Sequence, residues 1–385
     1  MDFCRLGIVC ALLLFVSGFS GIAGAVELAA KLNAARAKAG TPAMGAVIVR
    51  DGAVVDLAVT GVRARGSDVA VTTDDRWHLG SNLKAMTATL VARHVAAGQL
   101  SFDATLPELF PDVETNPAFR DVTIAQLLAH TSGLRANLTH WEMNAQGDRS
   151  PAPPRVEARA QLAERYLGLQ PAYEPGTEFR YSNLGYLVVG AALEGLTGAP
   201  FETQMATRVF EPLGIETAGW GAPGEKGRMD QPRGHRVGLM GIALLGGGVM
   251  EPGTDRSDNP PIMAPAGTVH MSLQDYARFL IAHLGGPEGE SALLPADLFR
   301  TLQEPYPGTG GGYALGWVVT EDAESGLTFL QHAGSNTMWY AVARLIPQRD
   351  TAVALSANAA DEKTKKALRN LMVALTQEMI AEPTD

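Results

Sequence analysis

The stretch Trp77-His78-Leu79-Gly80-Ser81-Asn82-Leu83-Lys84, running into Ala85-Met86-Thr87-Ala88-Thr89-Leu90-Val91-Ala92, decides how the rest of this chain is read. The small and apolar residues after Leu83 predict a helix. Residues three apart on a helix share a face, so Lys84 can hang over the Ser81 hydroxyl. A serine is a weak nucleophile until a neighbouring base takes its proton. Burial favours the neutral form of lysine, and a neutral amine is such a base. Gly80 suits a tight strand-to-helix entry. The Ser81 N–H then lies at the positive end of the helix dipole, where an oxyanion is stabilised. The spacing also arises by chance, so partners elsewhere must carry the decision.

Two later segments supply candidates. Glu174-Pro175-Gly176-Thr177-Glu178-Phe179-Arg180-Tyr181-Ser182-Asn183 leads from a Pro-Gly turn through an extended piece into an apolar helix. Residues separated by one position point the same way from an extended segment, so Tyr181 and Asn183 can face one site. A cationic Lys84 nearby would lower the Tyr181 phenol pKa and make it a proton shuttle. Asn183 can hydrogen-bond both the lysine and a substrate carbonyl. The alternative is that Tyr181 and Asn183 merely cap the helix. The second segment is Phe329-Leu330-Gln331-His332-Ala333-Gly334-Ser335-Asn336, at the end of a predicted strand. Gly334 permits close approach of a substrate to the backbone. The Ser335 N–H can pair with the Ser81 N–H as an oxyanion hole, and His332 borders the same place. For His332 taken alone, a structural role is the simpler reading.

Composition narrows the alternatives. The chain has 385 residues and a formal net charge of −10, which argues against nucleic acid as a partner. Met1 to Arg5 carries one basic residue, Leu6 to Val26 is uncharged, and Ala23-Gly24-Ala25 offers a small-residue cleavage site. This pattern predicts a signal peptide over 1–25, export (periplasmic in that sense), and a chain without stable membrane insertion after cleavage. An uncleaved N-terminal anchor is the competing reading. Both cysteines, Cys4 and Cys10, fall in the leader, leaving neither disulfide nor thiol nucleophile beyond it. The eight histidines are scattered without H-E-x-x-H, so no metal and no cofactor is expected. P-loop and G-x-S-x-G signatures are absent. Gly219-Trp220-Gly221-Ala222-Pro223-Gly224 is formally a dinucleotide fingerprint, but Gly227 and Pro232 interrupt any following helix.

The expected architecture is α+β. Val26 to Gly40 reads as a first helix, and two β-rich runs flank Asp51-Gly52, a strong hairpin signal. Tyr313 to Val319, Thr328 to Gln331, Trp339 to Ile346 and Ala352 to Ser356 read as strands. A closing helix follows from Asp361 to Ile380, with Leu368, Leu371, Val373, Leu375 and Met379 available for its core face. One antiparallel sheet built from both ends is therefore expected, flanked by helices. Residues 26–385 form one catalytic domain, with a sheet lobe at about 26–80 and 303–385 and a helical lobe inserted at about 81–302. Gly219–Pro265 and Leu134–Pro154 read as irregular walls.

S-x-x-K, then Y-x-N, then H-x-G, in this order, resembles the serine β-lactamase and penicillin-binding family, in its class C and D-alanyl-D-alanine carboxypeptidase branch. Leu127-Leu128-Ala129-His130-Thr131-Ser132-Gly133-Leu134, Glu211-Pro212-Leu213-Gly214-Ile215, Ala266-Gly267-Thr268 and Tyr313-Ala314-Leu315-Gly316-Trp317 extend the likeness over almost all of residues 26–385. The resemblance implies a β-lactamase/transpeptidase-like fold. It implies that Ser81 is acylated, that Lys84 takes its proton or holds the site's electrostatics, and that Tyr181 relays the proton and later activates water. Asn183 would orient the substrate, with the Ser81 and Ser335 amides on the oxyanion. No E-x-x-L-N loop is present, in keeping with Tyr181 as the deacylation base. The chain departs from the K-T-G of true class C β-lactamases at His332, which is mostly neutral at pH 7 and weakens the case for anionic β-lactams. Arg135 and Arg180 are nearby cations, though exposed loop arginines are the commoner outcome. The expected partner is a small-molecule or peptide substrate. The open alternatives are an ester, amide, D-amino-acid peptide or β-lactam hydrolase, a carboxylesterase of this type, or a binding or sensor protein with slow deacylation.

Overall fold

The computed structural model describes residues 16–139, 142–143, 155–237, 247–254 and 257–381. The strands are β1 (Ala43–Arg50), β2 (Ala53–Gly61), β3 (Arg76–His78), β4 (Gly219–Trp220), β5 (His235–Arg236), β6 (Gly248–Val249), β7 (Val269–Ser272), β8 (Val318–Glu321), β9 (Thr328–Ser335), β10 (Tyr340–Ile346) and β11 (Thr351–Ala357). The helices that matter most for the site are α1 (Val16–Ala39), α2 (Leu83–Ala96), α3 (Asn183–Thr197), α4 (Leu273–Gly285) and α5 (Glu362–Ala381).

A tight hairpin starts the main sheet. Asp51 and Gly52 both take positive φ (49° and 68°), the geometry that matches the right-handed twist of flanking strands in a two-residue turn. Strand β1 then pairs with β11 from the other end of the chain, Met44 against Ala357 and Arg50 against Thr351. The six strands run β2-β1-β11-β10-β9-β8, with antiparallel pairing throughout. Every residue of β11 is buried, in keeping with the apolar run Ala352–Leu355 at its centre and its cover on both faces. Alternation sorts the side chains. Tyr340, Val342 and Ile346 join the layer under α1 and α5, whereas Ala341, Ala343 and Leu345 join the larger core that contains α2 and α4. The second face carries the site.

Several expectations need correction. The strand expected at Tyr313–Val319 begins only at Val318, because Gly316 (φ 91°) turns the chain against the backbone of Ala85. In α5, Val373 is 47% exposed and Met372 is buried beside Leu368, Leu371, Leu375 and Met379. That set keeps the i, i+3/i+4 stripe, which position 373 leaves. Helix α1 begins at Val16, earlier than Val26. The start of the expected leader, residues 1–15, lies outside the described residues, as do parts of both irregular walls. Among the described residues no single helix is long and apolar enough to cross a membrane.

Candidate active site

Leu79 ends a short connection from β3, and Gly80–Asn82 form one 3-10 turn before α2. Asn82 pins this turn from below. Its Nδ2 donates to the Leu79 and Ala341 carbonyls at 2.8 and 3.3 Å, and its Oδ1 accepts from the Tyr276 hydroxyl at 3.1 Å. From Leu83 to Ala92 helix α2 is buried all round, which marks it as a core helix and places Lys84 in the interior.

Lys84 Nζ stands 3.1 Å from Ser81 Oγ, 2.7 Å from Asn183 Oδ1 and 2.6 Å from the Ala266 carbonyl. It also lies 5.0 and 5.1 Å from the ring centres of Tyr181 and Tyr186. Burial holds this amine well below the ordinary lysine range. Ser81 itself remains only partly buried. Tyr181 hydrogen-bonds with Ser81, yet desolvation dominates and pushes its phenol far above its usual value. The expectation of a lowered Tyr181 pKa is therefore reversed: withdrawing the phenol from water outweighs the lowering effect of its bond to Ser81.

The cap alternative for Tyr181 and Asn183 also fails. Ser182 is the N-cap of α3, its Oγ accepting the Gly185 N–H at 2.9 Å and donating to the Arg135 carbonyl at 2.7 Å. The flanking residues are thereby free to serve the site. Asn183 accepts from Lys84 through Oδ1 and donates to Asn137 Oδ1 at 2.7 Å, so its amide orientation is set.

Strand β9 closes the other side. A Cβ on Gly334 would fall 2.0 Å from the Leu79 carbonyl oxygen and 2.5 Å from Ser81 N, and one on Gly80 (φ 53°) would fall 2.6 Å from Ser335 N. Only glycines allow this approach, and it brings the amides of Ser81 and Ser335 together. The structure thus gathers Ser81, Lys84, Tyr181, Asn183, Gly334 and Ser335. His332 is buried behind them. Its Nε2 is 3.1 Å from the Tyr313 hydroxyl and its Nδ1 3.0 Å from the Ala333 carbonyl. Burial, with Lys84 adding to it, pushes His332 down to about 3.

The sequence profile of the Beta-lactamase family matches residues 28–378. The chain belongs to the Beta-lactamase family. "Penicillin-binding protein 4" of Amycolatopsis lactamdurans is 28% identical to it over 341 residues, covering 85% of this chain and 84% of the relative. "Protein flp" of Staphylococcus aureus (strain NCTC 8325 / PS 47) is 22% identical over 86% of this chain, which spans only 62% of that protein's length. Among solved structures, a D-stereospecific amidohydrolase from Streptomyces sp. superposes with a TM-score of 0.65 at 22% identity, covering 88% of this chain and 97% of that one. At that identity the likeness is one of fold.

This Beta-lactamase-family chain also carries polar partners that sequence reasoning missed. His130 accepts the Ser182 N–H at Nδ1 (3.1 Å), so its Nε2 carries the proton and donates to the Tyr313 oxygen at 3.2 Å. Tyr313 can then donate to His332 Nε2, and His332 Nδ1–H to Ala333. The His130 ring packs 4.3 Å from that of Tyr181, buttressing it. The segments containing His130 and Tyr313 were visible as resemblance, but nothing in their spacing showed that they meet. A second buried set, His78, Asp258 and Asn336, stands behind the nucleophile turn with no signal in the sequence. Arg180 is exposed and paired with Glu178 at 2.8 Å, and Arg135 is exposed above the Tyr166 ring.

Proposed function

We propose that this chain is a serine hydrolase that works through an acyl-enzyme on an ester or amide. One observation carries the reading: the three atoms around Lys84 Nζ. Asn183 Oδ1 and the Ala266 carbonyl can only accept, so they take the two N–H bonds of a neutral amine. When the amine is neutral its lone pair is left for Ser81 Oγ, the one of these three atoms able to donate; when it is protonated, Ser81 Oγ accepts the third N–H. Burial of the lysine supports the neutral form.

In the proposed cycle Lys84 takes the Ser81 proton as Oγ bonds to the carbonyl carbon, and the Ser81 and Ser335 amides hold the resulting oxyanion. Collapse breaks the bond to the leaving group, which receives a proton from Tyr181, and Tyr181 is resupplied from the Lys84 ammonium. Water then attacks the ester carbon, losing its proton through Tyr181 to Lys84, and the bond from that carbon to Ser81 Oγ breaks as Oγ takes the proton back from the Lys84 ammonium. The raised Tyr181 pKa favours a relay that stays protonated at rest over a standing phenolate base. A neutral, internally bonded His332 in place of the K-T-G lysine supports acyl donors that need no cation at that point, in preference to anionic β-lactams. Export through residues 1–25 belongs to the same proposal.

The test compares wild type with Ser81→Ala on a short p-nitrophenyl ester, a D-alanyl-D-alanine peptide and a chromogenic cephalosporin. Ester or peptide turnover that disappears in the variant is expected. A wild type that labels with a fluorophosphonate but turns over none of a broad panel would establish a binding or sensor protein instead.

A further inference from the structure

We infer that His78, Asp258 and Asn336 form a buried positioning triad that fixes the two oxyanion amides, those of Ser81 and Ser335, relative to each other. The inference rests on the acyl-transfer reading and adds to it three residues from three separate segments. His78 Nε2 lies 2.9 Å from Asp258 Oδ2, and both side chains are fully buried. His78 Nδ1 accepts the Gly80 N–H at 3.2 Å. Asp258 Oδ1 accepts from Asn336 Nδ2 and from the Asn259 N–H, each at 2.7 Å. Asn336 Oδ1 accepts the N–H groups of Met338 and Trp339 at 3.1 and 3.0 Å.

The proton positions follow from the partners alone. Two backbone donors occupy the Asn336 oxygen, so its NH2 must face Asp258. Gly80 donates to His78 Nδ1, so the imidazole carries its proton on Nε2 and gives it to the carboxylate. One chain of directional bonds therefore runs from the amide of residue 80 to the side chain of residue 336. Each end is one residue from an oxyanion amide. Those amides belong to a turn and to a strand far apart in sequence, and Asp258 bridges them from the irregular Gly219–Pro265 wall.

Stability alone gives little reason for this arrangement, because well-packed apolar residues often serve as well as buried charged and polar groups. Its distinguishing property is direction. An amide at position 258 cannot replace the carboxylate. With its NH2 towards Asn336 it opposes another NH2, which the Met338 and Trp339 bonds prevent from flipping. With its NH2 towards His78 it drives the imidazole proton to Nδ1, against the Gly80 N–H. Either way a donor meets a donor within a residue of the oxyanion hole.

The experiment measures single-turnover p-nitrophenol release from p-nitrophenyl acetate, and the affinity of phenylboronic acid, a tetrahedral mimic at Ser81. Wild type and Asp258→Asn are compared, with melting temperatures recorded for both. Both the acylation rate constant and boronate affinity should fall about 10- to 100-fold in the variant, less than the roughly 10²- to 10³-fold lost when an oxyanion donor is removed outright, because here the amides are misplaced and not deleted. Ground-state ester binding should stay within about twofold, since the oxyanion exists only in the transition state. Unchanged boronate affinity in a folded, reactive variant would overturn the positioning role and leave the acyl-transfer reading standing. A wild-type Ser81 that reacts with neither probe would overturn both. Should Asp258→Asn not fold, histidine 15N spectra of wild type decide. An Nε2-protonated His78 whose resonance moves when phenylboronic acid binds wild type, but not Ser81→Ala, supports the triad. An Nδ1-protonated or unresponsive His78 rejects it.

Discussion

A buried lysine surrounded by a hydroxyl, an amide oxygen and a carbonyl has no carboxylate to hold its charge, and Lys84 is in that position. Its folded pKa lies below the ordinary value of about 10.4, so the reactive amine becomes available as pH rises through a limb below that range. The acylation rate constant on an activated ester should trace that limb. Lys84→Arg, whose guanidinium cannot release its proton, should lose the limb and about 10²- to 10⁴-fold in rate. Stopped-flow acylation from pH 5 to 10 reads both, and a limb that persists in the arginine variant would remove Lys84 as the base.

Helix α3 shows how one element places a catalytic pair. Ser182 spends its oxygen on the Gly185 N–H and its proton on the Arg135 carbonyl, and its neighbours Tyr181 and Asn183 are aimed at the site as a result. Ser182→Ala should cost about 1–2 kcal/mol, the usual penalty for losing an N-cap. It should also lower kcat/KM by loosening Asn183. Urea unfolding with the ester assay checks this, and an unmoved midpoint would show that the Arg135 segment holds α3 by itself. The sequence left open whether Tyr181 and Asn183 serve the site or cap the helix, because Tyr181, Ser182 and Asn183 are all polar and only tertiary contacts sort them. The S-x-x-K turn, the long strands and the hairpin were legible, since each depends on local spacing or on an unbroken apolar run. Strands β3, β4 and β7, two to four residues long, carry no such period. His78, Asp258 and Asn336 meet only because loops deliver them, and pairwise spacing holds no trace of that meeting.

Across the whole molecule, buried histidines set the response to acid. His283 and His332 are pushed by burial to about 3, and His235 and His270 to about 4. In the unfolded chain the same rings take protons below about 6.5. The unfolded state therefore binds more protons between those limits, and stability falls as pH drops from about 6.5 towards 4. Above 6.5 these rings contribute no pH dependence. Each adds up to about 1.4 kcal/mol per pH unit. Thermal melts should show a steep loss across this window, and a melting temperature flat from pH 7 to 4.5 would contradict it. The two outermost helices have a different consequence. Helices α1 and α5 lie side by side, joined by Lys31 and Glu378 at 2.6 Å, on the sheet face opposite the one that packs against the nucleophile turn. A fusion partner, resin or lipid anchor attached through either helix would stand behind the sheet, leaving the face that carries Ser81 clear of the attachment.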